Sequence, residues 1–185
     1  MSRSGVGRRY VAFVRAINVG GHSVVSKDRL KSYFVLLGIS DVSTYIQSGN
    51  ILFTSDEVDS GLLSQRLSER LGSVLGPGHD VFVFTREDLE KVLAGYPFTS
   101  DAGNPDFRSH VMFLSKKPSE DRVKVLLDLA RGEYQLKIVD GVLYYGYVLK
   151  PDRRRRTIDV EGVLGVVGTS RTVKVVKALV DLLGE

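Results

Sequence analysis

No cysteine occurs among the 185 residues. That absence removes disulfides, thiolate zinc sites and cysteine nucleophiles together, and it agrees with a reducing compartment, so a cytoplasmic protein is expected. Long apolar runs are missing as well. The basic start, Met1 to Arg9, leads into about five apolar residues before Arg15, shorter than the core of a signal peptide. No later stretch approaches the roughly 18 apolar residues of a membrane-spanning helix, so a soluble chain with no membrane partner is expected. A complete catalytic motif is also lacking. Neither the spaced three-glycine dinucleotide fingerprint nor the Gly-Lys-Ser/Thr ending of a phosphate loop is present. His22, His79 and His110 have no metal-ligand spacing. Glu87-Asp88 and Glu120-Asp121 fall in the first turns of predicted helices, where the helix dipole already accounts for acidic residues. Paired-acid catalysis has no support, no metal is implied, and the composition names no cofactor.

What is present is enough chain for one domain or two small ones; a single domain of this size buries roughly 70% of its unfolded surface. The net charge is +4, and its location matters more than its size. Between residues 150 and 174 stand seven basic residues, Lys150, Arg153, Arg154, Arg155, Arg156, Arg171 and Lys174, against three acidic ones, Asp152, Asp159 and Glu161. That window alone equals the whole excess. A local cluster, rather than a global field, is therefore what would attract an anionic ligand or a nucleic acid.

The apolar run Tyr10 to Val14 suits a strand buried on both faces, and Gly20-Gly21 then frees the backbone to turn. Ser26 is placed to cap a helix with Leu30, Tyr33, Phe34 and Leu37 at helical spacing and Gly38 at its end. Val42 to Gln47 and Ile51 to Thr54 read as short strands around the turn Ser48-Gly49-Asn50. A helix follows over Asp59 to Leu75, with Leu63, Leu67, Leu71, Val74 and Leu75 on one stripe, and then the strand Val81 to Phe84. The order β-α-β-β-α-β is that of a ferredoxin-like unit.

Arg86 to Ala94 adds a helix, and the polar loop Gly95 to Arg108 separates the halves. The pattern then restarts: His110 to Ser115 a strand, Ser119 to Ala130 a helix, Glu133 to Val139 a strand, Asp140-Gly141 a two-residue turn, Val142 to Val148 a strand. Ile158 to Leu164 is a short helical piece, and a last helix runs from Ser170 with Val173, Val176, Val180 and Leu183 inward. The expectation is an α+β protein built by duplication. Residues 1–95 form one ferredoxin-like half, 96–108 a linking loop, and 109–185 a second half that lacks its last strand.

Three blocks carry a family resemblance: Arg15-Ala-Ile-Asn-Val-Gly-Gly-His22, Thr44-Tyr-Ile-Gln-Ser-Gly-Asn50 and Leu164-Gly-Val-Val-Gly-Thr-Ser-Arg171. Together they resemble the bacterial family catalogued as domain of unknown function 1697, over most of the chain. Ala16 stands where that family usually has glycine, and Thr172-Val173 replace a usual Asn-Trp pair. The resemblance implies no activity, so any role must come from the residues themselves.

Three places qualify as sites. Arg15, Asn18, Gly20, Gly21 and His22, with Gln47, Ser48 and Asn50, would line a cleft at the end of the first strand; the same glycines equally serve a plain tight crossover. This is where an enzyme would keep its site, although Ser48 lacks the flanking glycines of a nucleophile elbow. At Gly168-Thr-Ser-Arg171, Thr169 or Ser170 would cap the last helix, and first-turn amides with Arg171 and Lys174 would take a phosphate, supported by Arg153, Arg154, Arg155 and Arg156. An ordinary cap beside a solvated basic loop fits the same residues. Tyr144-Tyr-Gly-Tyr-Val148 partly matches the base-stacking octamer of RNA-recognition domains, with Tyr145 and Tyr147 as the stacking rings, although strand tyrosines are also common for packing alone. The leading expectation is a binding protein for a phosphate-bearing ligand, nucleotide or nucleic acid. The alternatives are an enzyme with its cleft at the first site and an interaction scaffold using exposed sheet edges.

Overall fold

Tyr10 to Val14 form the inner part of a strand, β1 (Arg8–Val14), in the computed structural model, which describes residues 7–17, 25–37, 39–46, 49–99, 103–150 and 156–185. All five are at most 2% exposed, as an unbroken apolar run requires. The chain continues through α1 (Lys27–Val35), β2 (Ser40–Tyr45), β3 (Asn50–Ser55), α2 (Ser60–Leu75), β4 (Val81–Phe84) and α3 (Arg86–Ala94). β1 pairs with β3 and β4, and β2 pairs with β3, all antiparallel, giving the ferredoxin-like order β2-β3-β1-β4.

Local chemistry sets the helix starts. Arg29 N donates to Ser26 Oγ at 3.2 Å, and Gly61 N and Leu62 N donate to Asp59 Oδ1 at 2.8 and 3.1 Å. Leu30, Tyr33 and Phe34 of α1 and Leu63, Leu67 and Leu71 of α2 then form one core with Tyr10, Ala12, Val14, Ile51 and Phe53. Leu37, expected inward, is 39% exposed because α1 stops at Val35. Gly38, expected to end that helix, lies outside the described residues. The edge strand β4 is closed by its own helix: Val81 N and Val83 N donate to Ser68 Oγ and Ser64 Oγ of α2 at 2.8 and 3.0 Å. Those amides are spoken for, which blunts the edge as a template for another strand.

The second half runs β5 (Phe107–Leu114), α4 (Glu120–Ala130), β6 (Gln135–Val139), β7 (Val142–Val148), α5 (Val160–Leu164), β8 (Gly168–Thr172) and α6 (Val173–Gly184). Its sheet order, β6-β7-β5-β8, repeats that of the first. Asp140 and Gly141 both have positive φ, 49° and 79°, the conformation of a tight two-residue hairpin turn. Leu143 and Met112 pack beneath Leu126 of α4, Leu164 of α5 and Val166. On the other face Tyr144 donates to Val92 O at 2.8 Å. Gly146 there has no room for a side chain, because the Phe107 ring fills the space a Cβ would take.

The two ferredoxin-like halves are therefore present, with one correction. The second half does not lack its last strand: Gly168 to Thr172 is β8, paired antiparallel with β5 from Leu114↔Gly168 to His110↔Thr172. The segment holds no apolar side chain, so its buried positions are filled by Thr169 and Arg171, 5% and 8% exposed, and no apolar alternation marks it. The last helix accordingly begins at Val173 rather than Ser170, with Val175 N donating to Thr172 Oγ1 at 3.3 Å. Val173, Val176, Val180 and Leu183 are buried as expected.

By compactness the chain divides into Met1–Glu90 with Ala178–Glu185, and Lys91–Lys177. Among the described residues, no helix is long and apolar enough to cross a membrane.

Leu67, 1% exposed, sits at the middle of the α2 stripe. Leu67→Ala is expected to cost about 2–5 kcal/mol in a denaturant titration; a loss within about 0.5 kcal/mol, as for a surface change, would contradict the packing described.

Candidate functional site

At the end of β1 the chain turns through Arg15, Ala16 and Ile17. Ala16 has φ 51°, a left-handed conformation that disfavours a side chain and favours glycine. Arg15 Nη1 donates to Gly78 O at 3.1 Å and lies 3.7 Å from Asp80 Oδ2, while Arg15 N donates to Asp80 O at 2.8 Å. His79 Nδ1 stands 3.3 Å from Arg15 O; since a carbonyl only accepts, that contact selects the Nδ1–H tautomer. Asn50 is 1% exposed and donates from Nδ2 to Tyr45 O at 3.1 Å, tying the β2–β3 turn. Gly49, with φ 68°, allows the approach: a Cβ there would stand 2.5 Å from Ile17 Cγ2 and 2.9 Å from Val14 O. The described members of the first candidate site, Arg15 and Asn50, thus fasten loops together. Asn18, Gly20, Gly21, His22, Gln47 and Ser48 lie outside the described residues.

The group at the last helix is divided by the pleat of β8. Ser170 pairs with Met112 and faces the α4–α5 core, whereas Thr169 and Arg171 pair with Phe113 and Val111 and face the other way. Arg171 Nη1 donates to Thr169 Oγ1 at 2.9 Å and to Ser170 O at 2.7 Å. Burial lowers its pKa to about 10, so it stays a cation at neutral pH while withdrawn from solvent. Lys174 is exposed on α6. Arg171 and Lys174 therefore do not share a helix face or a common patch, and Thr172, not Thr169 or Ser170, supplies the cap.

The tyrosines are differently placed from those of an RNA-recognition domain, whose stacking rings sit on the open face of the sheet. Here Tyr145 lies on the same face as Leu143, packed against the core under α4 and α5, and its hydroxyl is 2.9 Å from Ser170 Oγ. The His110 ring stacks parallel to it at 4.8 Å and reaches Tyr147 at 5.8 Å. Tyr147 in turn meets Tyr134 edge-on at 5.7 Å. Leu126 of α4 and Val160 of α5 border this corner. A cavity of about 550 Å³ opens there, lined by Tyr134, Tyr145 and Tyr147 with Leu149, Lys150 and Thr157, a volume within the range of small-molecule sites.

The rim is tied to the basic segment. Tyr134 Oη donates to Arg156 O at 2.8 Å, and Arg156 N donates to Glu133 Oε2 at 2.9 Å. Arg153, Arg154 and Arg155 lie outside the described residues, but the sequence places them between Lys150 and Thr157, which both line the cavity. The structure thus gathers Tyr145, Tyr147 and Arg156 at one corner and leaves Arg15, Asn50, Arg171 and Lys174 out of it. Tyr134 and Thr157 were not singled out by the sequence; they stand 13 and 10 residues from Tyr147, Tyr134 being brought beside it by the β6–β7 pairing and Thr157 following Arg156, whose carbonyl accepts from Tyr134 Oη. Among the described residues, no group of three His, Asp or Glu is placed to hold a metal ion.

A family model described as a protein of unknown function, DUF1697, matches residues 8–144. Among solved structures, the conserved bacterial protein SP0830 from Streptococcus pneumoniae is similar over 97% of this chain and 99% of that one, with a TM-score of 0.72 and 25% sequence identity. No curated protein matches.

Burial of the cavity wall has a measurable consequence. Desolvation disfavours the phenolate, so Tyr145 ionises above the ordinary 10.0, as do Tyr10 and Tyr144. The unfolded chain deprotonates first; the stability linked to the neutral phenol is present below pH 10 and lost as pH rises through the higher folded-state value. Tyr145→Phe is expected to remove one late-ionising phenol from a tyrosinate absorbance titration. Loss of a phenol that ionises at the ordinary value would instead place Tyr145 in solvent.

Proposed function

Since the chain belongs to the DUF1697 family of proteins of unknown function, its role has to be read from its own side chains, and we propose that it binds a nucleotide-type ligand, a ring carrying phosphate. The ring enters the tyrosine-lined cavity and the phosphate meets Lys150 and the arginine run. One observation carries this reading: the corner walled by Tyr134, Tyr145 and Tyr147 is flanked by the two residues between which four consecutive arginines stand. Aromatic side chains stack on any base, typically for about 1–3 kcal/mol each, and basic side chains neutralise phosphate in a salt-dependent way. Tyr145 is held by Ser170 and by the core, so it supplies a fixed wall, while Tyr134 and Tyr147, both half-buried, offer ring surface at the mouth. The absence of cysteine fits a cytoplasmic setting for such a protein. The first site is not needed for this binding, because Arg15 and Asn50 are engaged in holding turns.

Fluorescence anisotropy with a labelled single-stranded oligonucleotide tests the proposal. Tyr147→Ala should weaken binding by about 1–3 kcal/mol. Arg154→Ala with Arg155→Ala should weaken it further while lowering the salt slope by roughly 1.4, about 0.7 for each phosphate left without its cation. Arg171→Met removes the same kind of charge from the interior and should leave the isotherm in place. Binding that ignores the Arg154 and Arg155 changes, or that fails altogether, overturns the proposal.

A further inference from the structure

The cavity does not end at the tyrosines. A second one, of about 360 Å³, is lined by Gly132, Glu133, Gln135, Gly146 and Val148, and it shares Tyr134, Tyr147 and Lys150 with the first. The pairing of β6 with β7 fixes how the two are related. Leu136 opposes Tyr145 and Gln135 opposes Gly146, so the first cavity takes the Leu136–Tyr145 face of the sheet and the second takes the Gln135–Gly146 face. Both open at the end of the β6–β7 hairpin remote from the Asp140-Gly141 turn, and the Tyr134–Tyr147 pair stands between them.

From this we infer that the protein takes two consecutive nucleosides of a single strand, one on each side of the Tyr134–Tyr147 pair, with the phosphodiester that links them at Lys150. The inference rests on the nucleotide reading above and narrows it from a nucleotide-type ligand to a strand at least two nucleotides long. Charge decides which part of the ligand goes where. Glu133 is a carboxylate whose Oε2 already accepts from Arg156 N, and an acidic group beside the second cavity disfavours a phosphate there. Gln135 carries a carbonyl and an amide N–H₂ side by side, the donor and acceptor pair that a base edge matches. A base is therefore the part that suits the second cavity. Lys150 is the cation common to both cavities and so the place for the phosphate between the bases. Tyr134 and Tyr147 meet edge-on, so their ring planes differ in direction by 83°, and two bases stacked on them part from each other as unstacked bases of a bound single strand do.

The test is a length series on the full chain: adenosine monophosphate, the adenylyl dinucleotide and the tetranucleotide, each competing with a labelled tetranucleotide at one salt concentration. The dinucleotide is expected to bind about tenfold or more tighter than the mononucleotide, the increment of one further stacked base. In Gln135→Ala that ratio should fall about fivefold, the loss of hydrogen bonding to the base edge. The melting temperature of the variant is measured alongside, so that a loss of fold is told apart from a loss of the second base site. A mononucleotide that binds as tightly as the dinucleotide, with a ratio indifferent to Gln135→Ala, overturns the two-base site and leaves the nucleotide reading standing. Failure of all three probes to compete overturns both.

Discussion

The pleat of β7 against β5 is the constraint on which the second half depends. In the register Met112↔Leu143 and His110↔Tyr145, the odd residues Leu143, Tyr145 and Tyr147 face α4 and α5, while Tyr144 and Gly146 face Val92 and Phe107. A slip of one residue would put Tyr144 into the helix core and drive a tyrosine side chain into the place that only Gly146 leaves open. The positive φ angles of Asp140 and Gly141 fix the same register from the other end of the hairpin. Fold, core and cavity walls follow from that one alignment, because period-two alternation sends Tyr145 and Tyr147 to the face that carries the cavity.

Each half also manages its sheet edge with side chains from its own helices. Ser64 and Ser68 of α2 take amides of β4, and Glu161 of α5 accepts from Gly168 N of β8 at 2.7 Å. The strand opposite β8, β6, runs instead into the tyrosine corner. Closing the β8 edge removes it as a template for another strand, whereas β6 leads into the proposed site.

Most of the fold was legible because its elements advertise themselves. Tyr10 to Val14, the α2 leucines and the Asp140-Gly141 turn each present one strong local signal, and each appears in the structure as expected. β8 did not, since Thr169 and Arg171 fill its buried positions and polar residues carry no apolar alternation. The same polar stretch imitates a helix cap, which drew the helix start back to Ser170. Arg171 shows the limit of counting charges along a chain: it belongs to the basic window by sequence and to the interior by burial. The tyrosine corner was half legible. Tyr145 and Tyr147 stand out in the strand, but their partners Tyr134 and Thr157 are joined to them only by pairing and by the bond from Tyr134 Oη to Arg156 O.

The proposed site combines stacking surface with charge in one corner of the second half, and its location is the claim most open to contradiction. Photocrosslinking the full chain to a bromouridine-substituted single strand, followed by peptide mass spectrometry, locates the contact directly. Adducts on Tyr134 or Tyr147 are the result this account predicts. Adducts confined to the β1 end, around Arg15 and Tyr45, or no adduct at all, would contradict it.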